Sequence, residues 1–107
     1  MSFEIEYTAH AQSELESVYL WIRERTPIST ARWLEDSIAK VESLANDPFR
    51  HRLAPESCRF PVKIRQLLFR KQHSQFRIIF TVSGKRVVVL SVRHHSRKSL
   101  EEGDLPF

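Results

Sequence analysis

The stretch "RIIFTVSGKRVVVLSVRHHSR", residues 77–97, runs into a concentration of groups able to do chemistry: Arg93, His94, His95, Arg97 and Lys98, interrupted only by Ser96. Arginine presents paired N–H donors that match a phosphate or a carboxylate. Histidine titrates near neutral pH and can take or give a proton. Such a set suits two tasks. One is phosphodiester cleavage by 2′-OH attack, which needs a base for the 2′ proton, an acid for the 5′ oxygen and cations on the phosphorane. The other is binding of a polyanion or an acidic peptide without chemistry. The remaining reading is that these are strand-end residues facing water in different directions. Close exposed cations repel by about 0.2–1 kcal/mol per pair, so a convergent cluster calls for something that neutralises it.

The elements that must position these groups are legible by period. "FEIEY" alternates Phe3, Ile5 and Tyr7 with Glu4 and Glu6, as a half-buried strand does. Thr8 can cap the helix that follows, in which Ala11, Leu15, Val18 and Ile22 recur on one face. "TPIS" interrupts it, with Thr26 as an N-cap and Pro27 at the first position of a second helix. Ala31, Leu34, Ile38, Val41 and Leu44/Ala45 form the expected stripe of that helix, and Asn46–Asp47–Pro48 stops it. So short a joint makes the two an antiparallel hairpin. Residues 49–61 show no periodicity and read as a loop. From Val62 the period becomes two: strands are expected over 62–71, 76–82 and 87–94, with a turn at Ser83–Gly84. "VVVLSV" is apolar on both faces, as a central strand is.

The order β-α-α-β-β-β predicts an α+β fold, a mostly antiparallel twisted sheet with a helical hairpin on one face. The helical stripes are expected to bury against Ile64, Ile78, Phe80, Val88 and Leu90. In such a sheet Arg77 lies near Arg93 and His94, and one sheet end gathers Arg65 or Arg70, Arg77, Arg93, His94, His95 and Arg97.

At 107 residues the chain suits one domain. Residues 1–47 carry nine acidic and four basic side chains, residues 48–107 four acidic and thirteen basic, so the halves stand at −5 and +9. That asymmetry points to a polyanionic or acidic partner for the second half, or to a basic surface that serves solubility alone. A lone Cys58 staples nothing, and no Cys/His spacing suits a metal, so neither metal nor cofactor is expected. The N-terminus has no apolar targeting region and no run reaches the ~18 residues of a membrane span. Both favour a cytoplasmic protein in a reducing compartment, with no membrane partner.

The helices "AQSELESVYLWIRER" and "ARWLEDSIAKVESLANDP", followed by "IRQLLFRK", "FRIIFTV" and "VVVLSVRHHSR", resemble the RelE/ParE superfamily of type II toxin–antitoxin toxins. The resemblance covers Phe3 to about Arg97 and is most specific in the second half. It implies a small cytosolic toxin silenced by a cognate antitoxin in a hetero-oligomer. RelE-like members cleave mRNA on the ribosome, whereas ParE-like members poison DNA gyrase. On the nuclease reading, the resemblance puts Arg77 on the phosphate and His94 and His95 in acid–base roles; Arg65, Arg70, Arg93 and Arg97 are expected as binding cations on either reading. Glu56 is then the one loop acid near enough in sequence to act as base. The C-terminal tyrosine common in such nucleases is missing, however, and Arg65 and Leu67 stand where the RelE type has paired lysines. The helices resemble the longer ParE hairpin. Gyrase-type inhibition is therefore the preferred expectation and ribonuclease activity the alternative. A member that binds antitoxin but no longer poisons is the third reading.

Overall fold

The computed structural model describes residues 2–25, 30–71, 74–94 and Leu105. Strand β1 (Glu4–Tyr7) leads into helix α1 (Ala9–Arg25), and helix α2 (Thr30–Glu42) continues into a 3-10 turn over Ser43–Ala45. Two further 3-10 turns, Pro48–Arg50 and Ser57–Arg59, shape the loop before β2 (Arg65–Lys71), β3 (Ser74–Ser83) and β4 (Arg86–His94). The strands form one sheet in the order β1-β4-β3-β2. Strand β1 runs parallel to β4, and the other pairs are antiparallel. This is the α+β arrangement expected from the period changes. The cap and stop at Thr26–Pro27 and the histidine and arginine of "HSR" lie outside the described residues.

Thr8 caps α1 as its position suggests: its hydroxyl accepts from the Ala11 amide at 3.0 Å, and its own amide donates to Val89 at 3.1 Å. Ala11 and Ile22 are buried, with Leu15 and Val18 packed at the margin of the same core. Farther along, the Glu14 carboxylate accepts from the Ser91 hydroxyl at 2.6 Å and from the Val92 amide at 3.1 Å. Those contacts fall beside an irregularity in the β3–β4 register at Ile79/Phe80, where the ladder alone leaves backbone groups to be satisfied.

Helix α2 departs from expectation. Its buried face is Trp33, Ser37, Val41 and, in the following turn, Leu44, whereas Ala31 is exposed and Ile38 is 37% exposed. The face is turned because Trp33 fills the space over the sheet, its ring edge-on to Phe69 and Phe76 at 6.3 and 5.3 Å. Ser37 is small enough to sit beneath, and its hydroxyl donates back to the Leu34 carbonyl at 2.9 Å.

The expected set of sheet residues under the helices is half right. Ile78 and Phe80 join Leu67, Phe69, Phe76, Val87, Val89 and Val92 in that core. Ile64 and Leu90 instead bury on the opposite side, with Ala54, Ile79 and Leu105, and Val88 packs at their margin. Strand alternation sends them there, and the loop, rather than a helix, covers them. The loop is tied down by Ala54 donating to Ile64 at 2.9 Å and by the Ile64 amide donating to the Ser57 hydroxyl at 3.0 Å. Those bonds occupy Ile64, so β2 begins at Arg65 and not at Val62. The β3–β4 turn is Gly84–Lys85, one residue later than expected, with Gly84 at φ +60° and Ser83 paired to Arg86.

Candidate functional site

The cations expected to converge at one sheet end are divided between its two faces. His94 pairs with Phe76 and Arg93 with Arg77 across β3–β4. Neighbouring residues on a strand point to opposite faces, so His94 lies on the helix side and Arg93 with Arg77 on the loop side. On the helix side, His94 meets Phe76 edge-on at 5.2 Å and stands 6.3 Å from Trp21. Together with His10, Glu14 and Val18 these residues line a cavity of about 520 Å³. His10 Nε2 lies 3.2 Å from the Glu14 carboxylate.

On the loop side, Arg77 is held by a carboxylate. Its Nη1 and Nη2 donate to the two Glu56 oxygens at 2.9 and 2.7 Å, and its Nε donates to Gln66 Oε1 at 3.1 Å. The Glu56 side chain is 4% exposed and that of Arg77 15%. Glu56, the candidate base, is therefore the counter-ion of Arg77, the candidate phosphate ligand. Arg93, directly opposite Arg77, is buried as well. The loop turn over Ser57–Arg59 delivers Glu56 to this position.

Arg65 and Arg70 are apart from both groups. Arg65 Nη1 donates to the His51 carbonyl at 2.8 Å, and its guanidinium lies 5.2 Å from the Phe49 ring centre. Arg70 is exposed on β2 opposite Gln75. His95 and Arg97 fall outside the described residues. Sequence reasoning missed the roles of Glu14 and Gln66, and set Glu56 among catalytic candidates rather than ion-pair partners. The available signal for Glu56 was its isolation: it is the only acid between Asp47 and Glu101.

Burial, with Arg50 and Lys40 nearby, pushes the His51 imidazole below its ordinary 6.5, against a smaller opposing pull from Asp47. The folded protein thus binds that proton less readily than the unfolded chain. The stability this contributes is complete above about pH 6.5 and is lost as pH falls toward the depressed folded value. In an NMR titration the His51 ring is expected to titrate below 6.5, and a value at or above it would contradict this environment.

Among the described residues no group of three His, Cys, Asp or Glu side chains could hold a metal ion, and no helix is long and apolar enough to cross a membrane. The fold is shared with a solved chain of the chromosomal ParDE TA system from P. aeruginosa. The two match with a TM-score of 0.71 at 19% identity, over 87% of this chain and 96% of that one. No curated protein sequence matches significantly. A family model described as the ParE toxin of the type II toxin–antitoxin system parDE matches residues 5–99, nearly the whole chain. By that match, which spans both helices and all four strands, the chain belongs to the ParE toxin family of type II toxin–antitoxin systems.

Proposed function

We propose that this toxin arrests growth by binding an essential target, DNA gyrase, rather than by cutting RNA, and that its cognate antitoxin neutralises it. The observation that carries the choice is the division of the strand-end groups. Phosphodiester cleavage needs an acid or base and a phosphate cation at one phosphorus atom. His94 faces the helices, whereas Arg77 sits on the far side of the sheet with three of its N–H groups committed to Glu56 and Gln66. A binding surface tolerates such separation, because each group contributes where it stands.

The test is a histidine substitution read by three assays. Glutamine at position 94 keeps a hydrogen-bonding group of similar reach and cannot shuttle a proton near neutral pH. His94→Gln is expected to retain most growth inhibition and the inhibition of supercoiling by purified gyrase, with no new transcript ends in either chain. Loss of a general acid or base would instead cost about 10²–10⁴-fold. Ribosome-dependent cuts made by the unmodified chain and abolished by His94→Gln would overturn the proposal.

A further inference from the structure

Of the walls of the cavity on the helix side, the reading above uses only His94. Helix α1 presents two adjacent stripes to the sheet. Ala11, Leu15, Val18 and Ile22 serve the core, whereas His10, Ser13, Glu14, Ser17 and Trp21, three or four positions apart, line the cavity. Phe76 on β3 and His94 on β4 stand opposite, paired with each other across the ladder. Ser13 and Ser17 are short where a core-facing helix carries larger side chains, and the space they leave is about 520 Å³. Small-molecule sites occupy about 300–1,000 Å³ and combine apolar walls with a few fixed polar groups. Here the fixed group is Glu14, 12% exposed, whose carboxylate is aimed by the Ser91 hydroxyl at 2.6 Å and the Val92 amide at 3.1 Å. Both are neutral donors, so they position the carboxylate without cancelling its charge.

We propose that this cavity binds a small organic cation, an ammonium or amidinium group on a flat apolar body, with Glu14 answering the charge and Trp21 and Phe76 enclosing the body. The choice of sign follows from the walls. The chain carries 17 Lys and Arg side chains, yet none lines the cavity among the described residues, and the one acid there is Glu14. A carboxylate or phosphate ligand would meet that charge head-on in a partly dry site. The rings favour the same sign, since the faces of Trp and Phe attract cations. Trp21 already does so within the chain: the Arg25 guanidinium lies 4.1 Å from its ring centre. Shape sets the size of the ligand. Phe76 meets His94 edge-on at 5.2 Å and His94 stands 6.3 Å from Trp21, so the far wall is closed by rings and the space suits a single-ring molecule. The proposal stands apart from the identity of the toxin's target.

The probes are benzamidinium, benzyl alcohol and benzoate, which share one ring and differ in charge, titrated into the full-length chain and followed by amide chemical shifts. Benzamidinium is expected to bind saturably at about 1 mM or tighter, benzyl alcohol more weakly, and benzoate not at all. The shifts are expected to centre on residues 10–21, 76 and 94, which locates the site without any substitution. Glu14→Gln keeps an oxygen for Ser91 and Val92 and removes the charge, so it is expected to weaken benzamidinium about tenfold and to leave benzyl alcohol unchanged. Trp21→Leu keeps an apolar wall and removes the π face, and is expected to weaken benzamidinium about threefold or more. Leu68→Ala, which trims a side chain 48% exposed on β2, is expected to change nothing. No saturable binding of benzamidinium, equal or tighter binding of benzoate, shifts centred elsewhere, or a Glu14→Gln chain that binds benzamidinium as well as the unmodified one would each overturn the proposal.

Discussion

Glu56→Ala is expected to lower the unfolding free energy by about 3–5 kcal/mol, and Arg77→Ala by a similar amount. A pair this dry behaves differently from a surface ion pair. The carboxylate is 4% exposed and accepts two bonds in parallel from one guanidinium. Removing it strands the Arg77 charge beside Arg93, buried on the neighbouring strand. Removing Arg77 leaves a buried carboxylate without that fork and frees the loop that covers Ile64, Ile79 and Leu90. Replacing both partners with apolar groups of similar size, Glu56→Leu with Arg77→Met, should recover much of the loss, because neither charge is then left buried. Urea unfolding of the three chains measures this. A Glu56→Ala cost below about 1 kcal/mol would assign the pair to the weak, solvated class. The result also governs how toxicity is read: an inactive Arg77→Ala chain reports loss of fold before it reports loss of a contact with any target.

Trp33→Ala is the other large effect, about 3–5 kcal/mol. Trp33 is 4% exposed and packs edge-on against Phe69 and Phe76, so truncation opens a cavity between α2 and two strands. Ile38→Ala, on the face first expected to be the core stripe, should cost less than about 1.5 kcal/mol, since 37% of that residue already meets water. Denaturant midpoints compared at equal slope test the pair. Equal losses would mean that α2 is rotated relative to the arrangement described here.

That rotation shows what a sequence conveys and what it withholds. The strands and α1 were legible because their periods are clean: Phe76, Ile78 and Phe80 alternate, and Ala11, Leu15, Val18 and Ile22 repeat. In α2 two apolar faces one position apart were available, and the choice fell to the shape of Trp33 against rings more than thirty positions away, which no local pattern encodes. The division of the cationic cluster was legible in principle. Arg93 and His94 are consecutive on a strand, and consecutive residues cannot share a face. The Glu56–Arg77 pair was not, since it joins an aperiodic loop to a strand across 21 positions. Nor does "FEIEY" state that its neighbour will be β4 rather than β2.

The position of β1 bears on how the toxin comes into being. Synthesis delivers β1 and α1 first, but β1 pairs with β4, and Thr8 bonds across 82 positions to Leu90. The Glu14 carboxylate likewise waits for Ser91 and Val92. Closing so long a loop is entropically costly and slow next to the local β3–β4 hairpin, so the nascent chain carries an unsatisfied β1 until β4 has been made. A product cut short before Arg86 therefore contains both helices and none of the strand that joins β1 and α1 to the sheet. The topology makes this toxin an all-or-nothing product of its own message.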